Sequence, residues 1–244
     1  VIYIEQPGFA PWLGFCEALL GCTTVALFDD VQYTEGGFLN RNRIKTPDGP
    51  AWLTVPVVRA SGQLIRDTRL ADSFDPDSLL RRVRLAYART PYVEEALNVL
   101  GPALGGGHRW LLDLNVDLIN QIATALGSHA RLRLTSDMDT TADSGKSVRL
   151  AQIAAQADEH VLWAGSGTRG YLDTDALAGH GISVVWNEFA DRHPQYGQAW
   201  PQQGFIPCLS FIDAVAATGW AGLAAMLRTG LDTYLPTAST GASA

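Results

Sequence analysis

Lysine is nearly missing from this chain: Lys45 and Lys146 are the only two, and the other basic residues are arginines. Basic residues of both kinds number 18 against 25 acidic ones, a net charge of −7. That balance excludes bulk electrostatic attraction to nucleic acid or an anionic membrane surface and favours a small-molecule partner. Cysteine is also sparse. Cys16, Cys22 and Cys208 are an odd number with neither CxxC nor CxxxC spacing, which argues against a disulfide framework and a structural zinc site. None of the five histidines pairs at ligand spacing, and only His193, before Pro194, stands in a loop suited to metal binding, so no metal is expected. No run reaches about 18 apolar residues, and no basic flank precedes the opening VIYI, so neither a membrane span nor a leader is expected. A reducing cytoplasm is the expected compartment. With 47% hydrophobic and 18% charged residues, the chain carries enough apolar material for a sizeable core.

What is present alternates. Val1–Ile4 and Val25–Phe28 read as buried strands, and between them Trp12, Phe15, Cys16, Leu19 and Leu20 recur at helical spacing between Pro11 and Gly21. A βαβ unit therefore opens the chain. Ala51–Val58 and Gln63–Leu70 read as a hairpin around Ser61-Gly62. Three helices follow: Asp75–Arg89, Tyr92 to about Leu100, and Trp110–Leu126 with Leu111, Leu114, Leu118, Ile119, Ile122 and Leu126 on one stripe. Strands at Arg131–Thr135, His160–Ala164 and Ile182–Trp186 then alternate with helices at Ser147–Gln156 and Asp173–Ala178. Leu209–Thr218 and Ala221–Arg228 close the pattern. The expected fold is α/β, a largely parallel sheet with flanking helices, an inserted β-hairpin and a helical segment in the middle. One domain is expected over residues 1–235, with its helical insertion at about 75–126, and a disordered tail over 236–244.

In an open parallel sheet, ligands sit beyond the carboxyl ends of the strands, and those positions are polar here. Gln6 follows the first strand, and Asp29, Asp30 and Gln32 follow the second. Adjacent carboxylates repel and raise one pKa, so Asp29-Asp30 suits general-base work or a cation, against the plainer reading of an end-of-strand turn. In Asn40-Arg41-Asn42-Arg43-Ile44-Lys45, an extended backbone would align Arg41, Arg43 and Lys45, a strip suited to phosphate or carboxylate. Gly145-Lys146-Ser147 lies between a strand and a helix, as in a phosphate-binding loop. However, Thr140 stands where the first glycine of that loop would fall and Asp143 adds a negative charge, so Lys146 reads as a simpler anion contact. Gly165-Ser166-Gly167-Thr168-Arg169-Gly170-Tyr171 is a glycine-rich loop after a strand whose N–H groups could form an anion nest. Cys16, early in the first helix, could be a nucleophile with Gln6 as oxyanion donor, but it also belongs to the apolar stripe, where burial raises a thiol pKa. Cys208 is the weaker thiol candidate.

Taken together, Gln6-Pro7-x-x-x-Pro11-x-x-Gly14, Phe28-Asp29-Asp30-Val31-Gln32-Tyr33 and Asn40-Arg41-Asn42-Arg43-Ile44 resemble the WbqC-like family of bacterial proteins. Thr90-Pro91-Tyr92, Leu114-Asn115, Ser136-Asp137-Met138, Lys146 with Arg149-Leu150, Tyr171-Leu172-Asp173 and Phe205-x-Pro207-x-Leu209-Ser210-x-x-Asp213 agree with it, so the resemblance runs from about Ile2 to Gly219. It implies a role in surface-polysaccharide or specialised-metabolite assembly, with acylation or aminoacylation of an amine as the expected reaction. The opening segment also bears a fainter likeness to the ligases of pantothenate synthesis, without their paired histidines or lysine-serine loop.

The resulting expectation is an amide-forming transferase or ligase that passes an activated acyl or aminoacyl group to an amine of a sugar or metabolite. The donor would be a phosphopantetheine-linked carrier-protein thioester or an ATP-derived adenylate, and an acyl or peptidyl carrier protein would be the partner. Asp29 or Asp30 would take the proton, and Gln6 and Gln32 would orient the carbonyl. Arg41, Asn42, Arg43, Lys146, Ser166, Gly167 and Tyr171 would bind substrate. The alternatives are a non-catalytic binding or assembly subunit and a cysteine-dependent acyltransferase using Cys16.

Overall fold

The computed structural model describes residues 1–141 and 145–234, so the tail expected at 236–244 and the loop position Asp143 lie outside the described residues. Five parallel strands form the central sheet: β1 (Ile2–Glu5), β2 (Thr24–Leu27), β5 (Arg131–Leu134), β6 (Val161–Gly165) and β7 (Ser183–Asn187). Their order is β5-β2-β1-β6-β7, with β1 in register with β2 from Ile2 opposite Thr24 to Glu5 opposite Leu27. β2 is buried along its whole length because helices cover both sheet faces, whereas the edge strand β5 alternates exposed arginines with leucines.

Strand alternation divides the core into two layers. Tyr3, Val25, Leu27 and Trp163 face α1 (Leu13–Gly21), α3 (Val93–Gly105), α4 (Leu111–Leu126) and α7 (Phe211–Tyr234). Ile2, Ala26, Leu162 and Ala164 face Ala151, Ile153 and Ala154 of α5 (Lys146–Gln156) and Leu177 of α6 (Thr174–Gly179). The chain thus winds outward from β1 to β5 and returns to the other side of β1 at β6. That reversal opens a crevice beyond the carboxyl ends of β1 and β6.

The alternating elements and the middle helices, including α2 (Pro76–Ala86) capped by Asp75, follow the sequence expectation. α7 is the expected helix pair run together: Gly219 breaks it at φ 69°, and the Glu95 carboxylate accepts from the Trp220 N–H at 2.8 Å at the restart. The hairpin differs in its partner. β3 (Arg41–Thr46) pairs antiparallel with β4 (Gly49–Thr54) around Pro47-Asp48, while residues 63–70 contribute only single bridges such as Val57 to Leu70. Gly49, at φ 108°, supplies the tight turn, and Pro56, which has no N–H to donate, lies just past the end of β4 at Thr54. Among the described residues, no helix is long and apolar enough to cross a membrane.

Candidate functional site

Two cavities meet at Glu5-Gln6, the end of the central strand. One, of about 540 Å³, lies beyond β1 and β6 and is walled by Phe28, Lys146, Arg149, Gly165, Thr168 and Tyr171. The other, of about 480 Å³, is walled mainly by Pro11, Trp12, Phe15, Phe38 and Leu39, with Asn42, Arg43 and Cys208 as its polar edge. Both include Glu5 and Gln6. The Trp12 indole lies so tightly over Gly14 that a Cβ there would come within 2.5 Å of the ring. Gly14 is therefore the residue that lets this wall form.

Glu5 was legible only as a polar strand end. Its carboxylate accepts from the Gln6 N–H at 3.0 Å and the Tyr3 hydroxyl at 3.2 Å. The side chain is exposed to the cleft, while the protein around its carboxylate desolvates it enough to raise its pKa from the ordinary value, against those two donors. Burial, with Glu5 as the largest nearby charge, also pushes the Tyr3 phenol well above its usual value. A carboxyl group of raised pKa where two cavities join has the character of a proton acceptor.

The cationic wall belongs to α5. Lys146 opens that helix with Nζ 5.1 Å from the Tyr171 ring centroid. One turn on, the Arg149 guanidinium lies 4.7 Å from the Phe28 ring centroid and donates to Asp30 at 2.5 Å. Asp30 also accepts from the Thr135 hydroxyl at 2.7 Å, so its carboxylate fixes Arg149 rather than facing the cavity. Asp29 is fully buried and accepts from the Ser136 N–H at 3.0 Å and the Thr135 hydroxyl at 3.2 Å, which ties the end of β2 to the end of β5. The acidic pair thus serves the frame of the crevice and does not line it.

The remaining expected residues divide in the same way. Gln6, Lys146 and Tyr171 reach the crevice, and Ser166 and Gly167 sit in a short 3-10 turn between its wall residues Gly165 and Thr168. Gln32 is exposed, bridges to Leu64 and lines neither cavity. Arg41, Arg43 and Lys45 do not form one strip. Arg41 stacks on Trp52 at 4.1 Å, donates to the carbonyls of Gly36 and Gly37, and lines neither cavity. Lys45 is fully buried, its Nζ donating to Gly204 at 2.7 Å and Gln198 at 3.1 Å, beside Gln198's bond to Asp213. Arg43 alone lines a cavity. Asn42 holds it there by donating to the Ala10 carbonyl at 2.9 Å and accepting from the Arg43 N–H at 2.8 Å.

Cys16 and Cys22 are buried, and desolvation pushes both thiols far up. Cys208 is half-buried at the edge of the Arg43 chamber, with left-handed backbone (φ 58°) and its N–H donating to His193 Nε2 at 3.2 Å. Burial raises this thiol too, with Arg43 opposing. A buried ion pair that no sequence pattern announces, Arg192 with Glu17, joins the segment after β7 to α1 through contacts of 2.5 and 2.6 Å.

The model of the WbqC-like protein family matches residues 6–225. The uncharacterized protein Rv1507c of Mycobacterium tuberculosis (strain ATCC 25618 / H37Rv) is 32% identical over 222 residues, which cover 89% of this chain and 94% of that protein. No solved structure matches the chain at a significant level.

Proposed function

Because the chain belongs to the WbqC-like protein family, a family name that carries no reaction, we propose its reaction from the cleft: transfer of an activated acyl or aminoacyl group to an amine, forming an amide. The observation behind this reading is the position of Glu5, a carboxyl of raised pKa shared by two cavities of different character. A donor bearing phosphate, as a phosphopantetheine thioester or an adenylate does, suits the crevice of Lys146 and Arg149, where a helix N-terminus adds to the positive field.

Glu5 takes the proton of the acceptor ammonium. The free amine attacks the donor carbonyl, the C–N bond forms as the thioester C–S or the adenylate C–O bond breaks, and the second proton of the nitrogen goes to the departing thiolate or AMP. Gln6 and the N–H groups of the 165–168 turn bear the developing oxyanion. Direct attack is favoured over a thioester on the enzyme because Cys16 is deep in the core. A carrier protein as partner and a reducing cytoplasm as compartment complete the reading. Incubating the protein with aminoacyl- or acyl-loaded carrier proteins and a panel of amines, followed by intact-mass analysis, tests it. A thioester that empties only when an amine is added supports the proposal, and carriers that stay loaded with every amine count against it.

A further inference from the structure

We propose that the Arg43 chamber is the acceptor subsite and that the acceptor is an ω-amino acid or a close relative, with its amine at Glu5, its carboxylate on Arg43 and an apolar body between them. This deepens the acyl-transfer reading and rests on it for the word acceptor.

The Arg43 Nε is buried without a hydrogen-bond partner among the described residues. A ligand oxygen in the chamber would satisfy that donor and complete the site. Glu5 does not complete it: the only influences opposing the desolvation of Glu5 are the Gln6 N–H and the Tyr3 hydroxyl. The β3 backbone fixes the arginine, since the Arg43 carbonyl accepts from the Ser210 N–H at 2.9 Å and its own N–H is held by Asn42. A rigidly placed guanidinium fork matches a carboxylate with two parallel bonds.

The walls specify the rest. Trp12, Phe15, Phe38, Pro11 and Leu39 offer apolar and aromatic surface, and a volume of about 480 Å³ falls within the range of small-molecule sites. Among the described residues, Arg43 is the only cation lining this chamber, whereas Lys146 and Arg149 line the other. A singly charged carboxylate suits the former and a phosphate the latter. The two ends of an ω-amino acid thus find opposite charges on the lining of a largely apolar cavity.

Cys208 provides a readout that needs no turnover, because it edges the chamber while Cys16 and Cys22 are buried. The intact chain is alkylated with iodoacetamide at about pH 8.5, near the ordinary thiol pKa. Labelling is mapped by peptide mass spectrometry with 6-aminohexanoate, 8-aminooctanoate or 4-(aminomethyl)benzoate present, or with their carboxamides, and affinities are measured in parallel by calorimetry. At least one amino acid should slow labelling of Cys208 and bind about tenfold or more tightly than its amide, the worth of one charge-assisted contact. Arg43→Gln should abolish that preference, Arg43→Lys should keep part of it, and Glu5→Gln should retain it. The proposal is overturned if no amino acid protects Cys208, if the amides bind as well as the acids, or if Arg43→Gln leaves the preference intact. Each of those results leaves the acyl-transfer reading to its own carrier-protein assay.

Discussion

Neutralising or deleting Asp29 separates a framework carboxylate from a catalytic one. In Asp29→Ala the Ser136 N–H and the Thr135 hydroxyl lose their shared acceptor in a fully buried position. Bonds to a charged acceptor contribute about 1.5–3 kcal/mol each, and relief of the buried charge offsets part of that, leaving a net loss of about 2–4 kcal/mol. In Asp29→Asn the amide oxygen can keep both bonds, but its NH₂ would replace Oδ2, which is buried and has no partner among the described residues. That places the cost at about 1–3 kcal/mol. For a chain of this size each kcal/mol lowers Tm by about 2–4 °C, so Asp29→Ala should melt roughly 4–16 °C early. Urea titration followed by circular dichroism measures the loss, with unchanged m-values showing that the transition remains comparable. Wild-type stability in Asp29→Ala together with lost turnover would refute the framework role and return Asp29 to the chemistry.

Other substitutions probe the rest of the account. Arg192→Met strands the buried Glu17 carboxylate and should cost about 3–5 kcal/mol, much of it regained in Glu17→Met/Arg192→Met; a loss under about 1 kcal/mol would class the pair with surface bridges. Lys146→Ala should weaken donor binding by about 1.5–3 kcal/mol at fixed salt while Arg41→Ala leaves it unchanged, because Arg41 packs on Trp52 and lines neither cavity. Equal losses in both would contradict the division of β3 drawn above. Cys16→Ala should retain most activity; an inactive but folded variant, with an acyl adduct mapped to Cys16 in the wild type, would replace direct attack with a thioester intermediate.

The sheet was legible because its central strands are covered on both faces and so are largely apolar, as Val25, Ala26 and Leu27 of β2 are. The hairpin was misassigned because β3 hides its strand character: Asn42 and Lys45 are polar yet buried, satisfied by carbonyls of segments far away in sequence. The rule that ligands gather beyond parallel strand ends singled out Gln6, Lys146, Tyr171 and Gly165, all of which line the crevice. It failed for Asp29 because the direction of a side chain just past a strand is set by what it can bond, here a hydroxyl and an N–H about a hundred residues on. Arg149 carried only the family resemblance, and its role depends on an Asp30 contact spanning 119 positions. Glu5 was visible as a position, but the desolvation that raises its pKa is a tertiary property.

The central claim, that Glu5 is the proton acceptor, is tested most directly by the pH dependence of kcat/KM for wild type and Glu5→Gln once a donor and amine are in hand. Desolvation at the cleft favours the protonated form of Glu5, so the wild-type rate should rise with pH through a value above that of an ordinary glutamate. By the same linkage, the contribution of Glu5 to stability is greatest at acid pH and is lost as pH rises through that value, a slope that Glu5→Gln should flatten. The account predicts that Glu5→Gln folds, binds donor and loses about 10²–10⁴ in rate together with that limb. A folded Glu5→Gln with near wild-type turnover and an unchanged profile would contradict it.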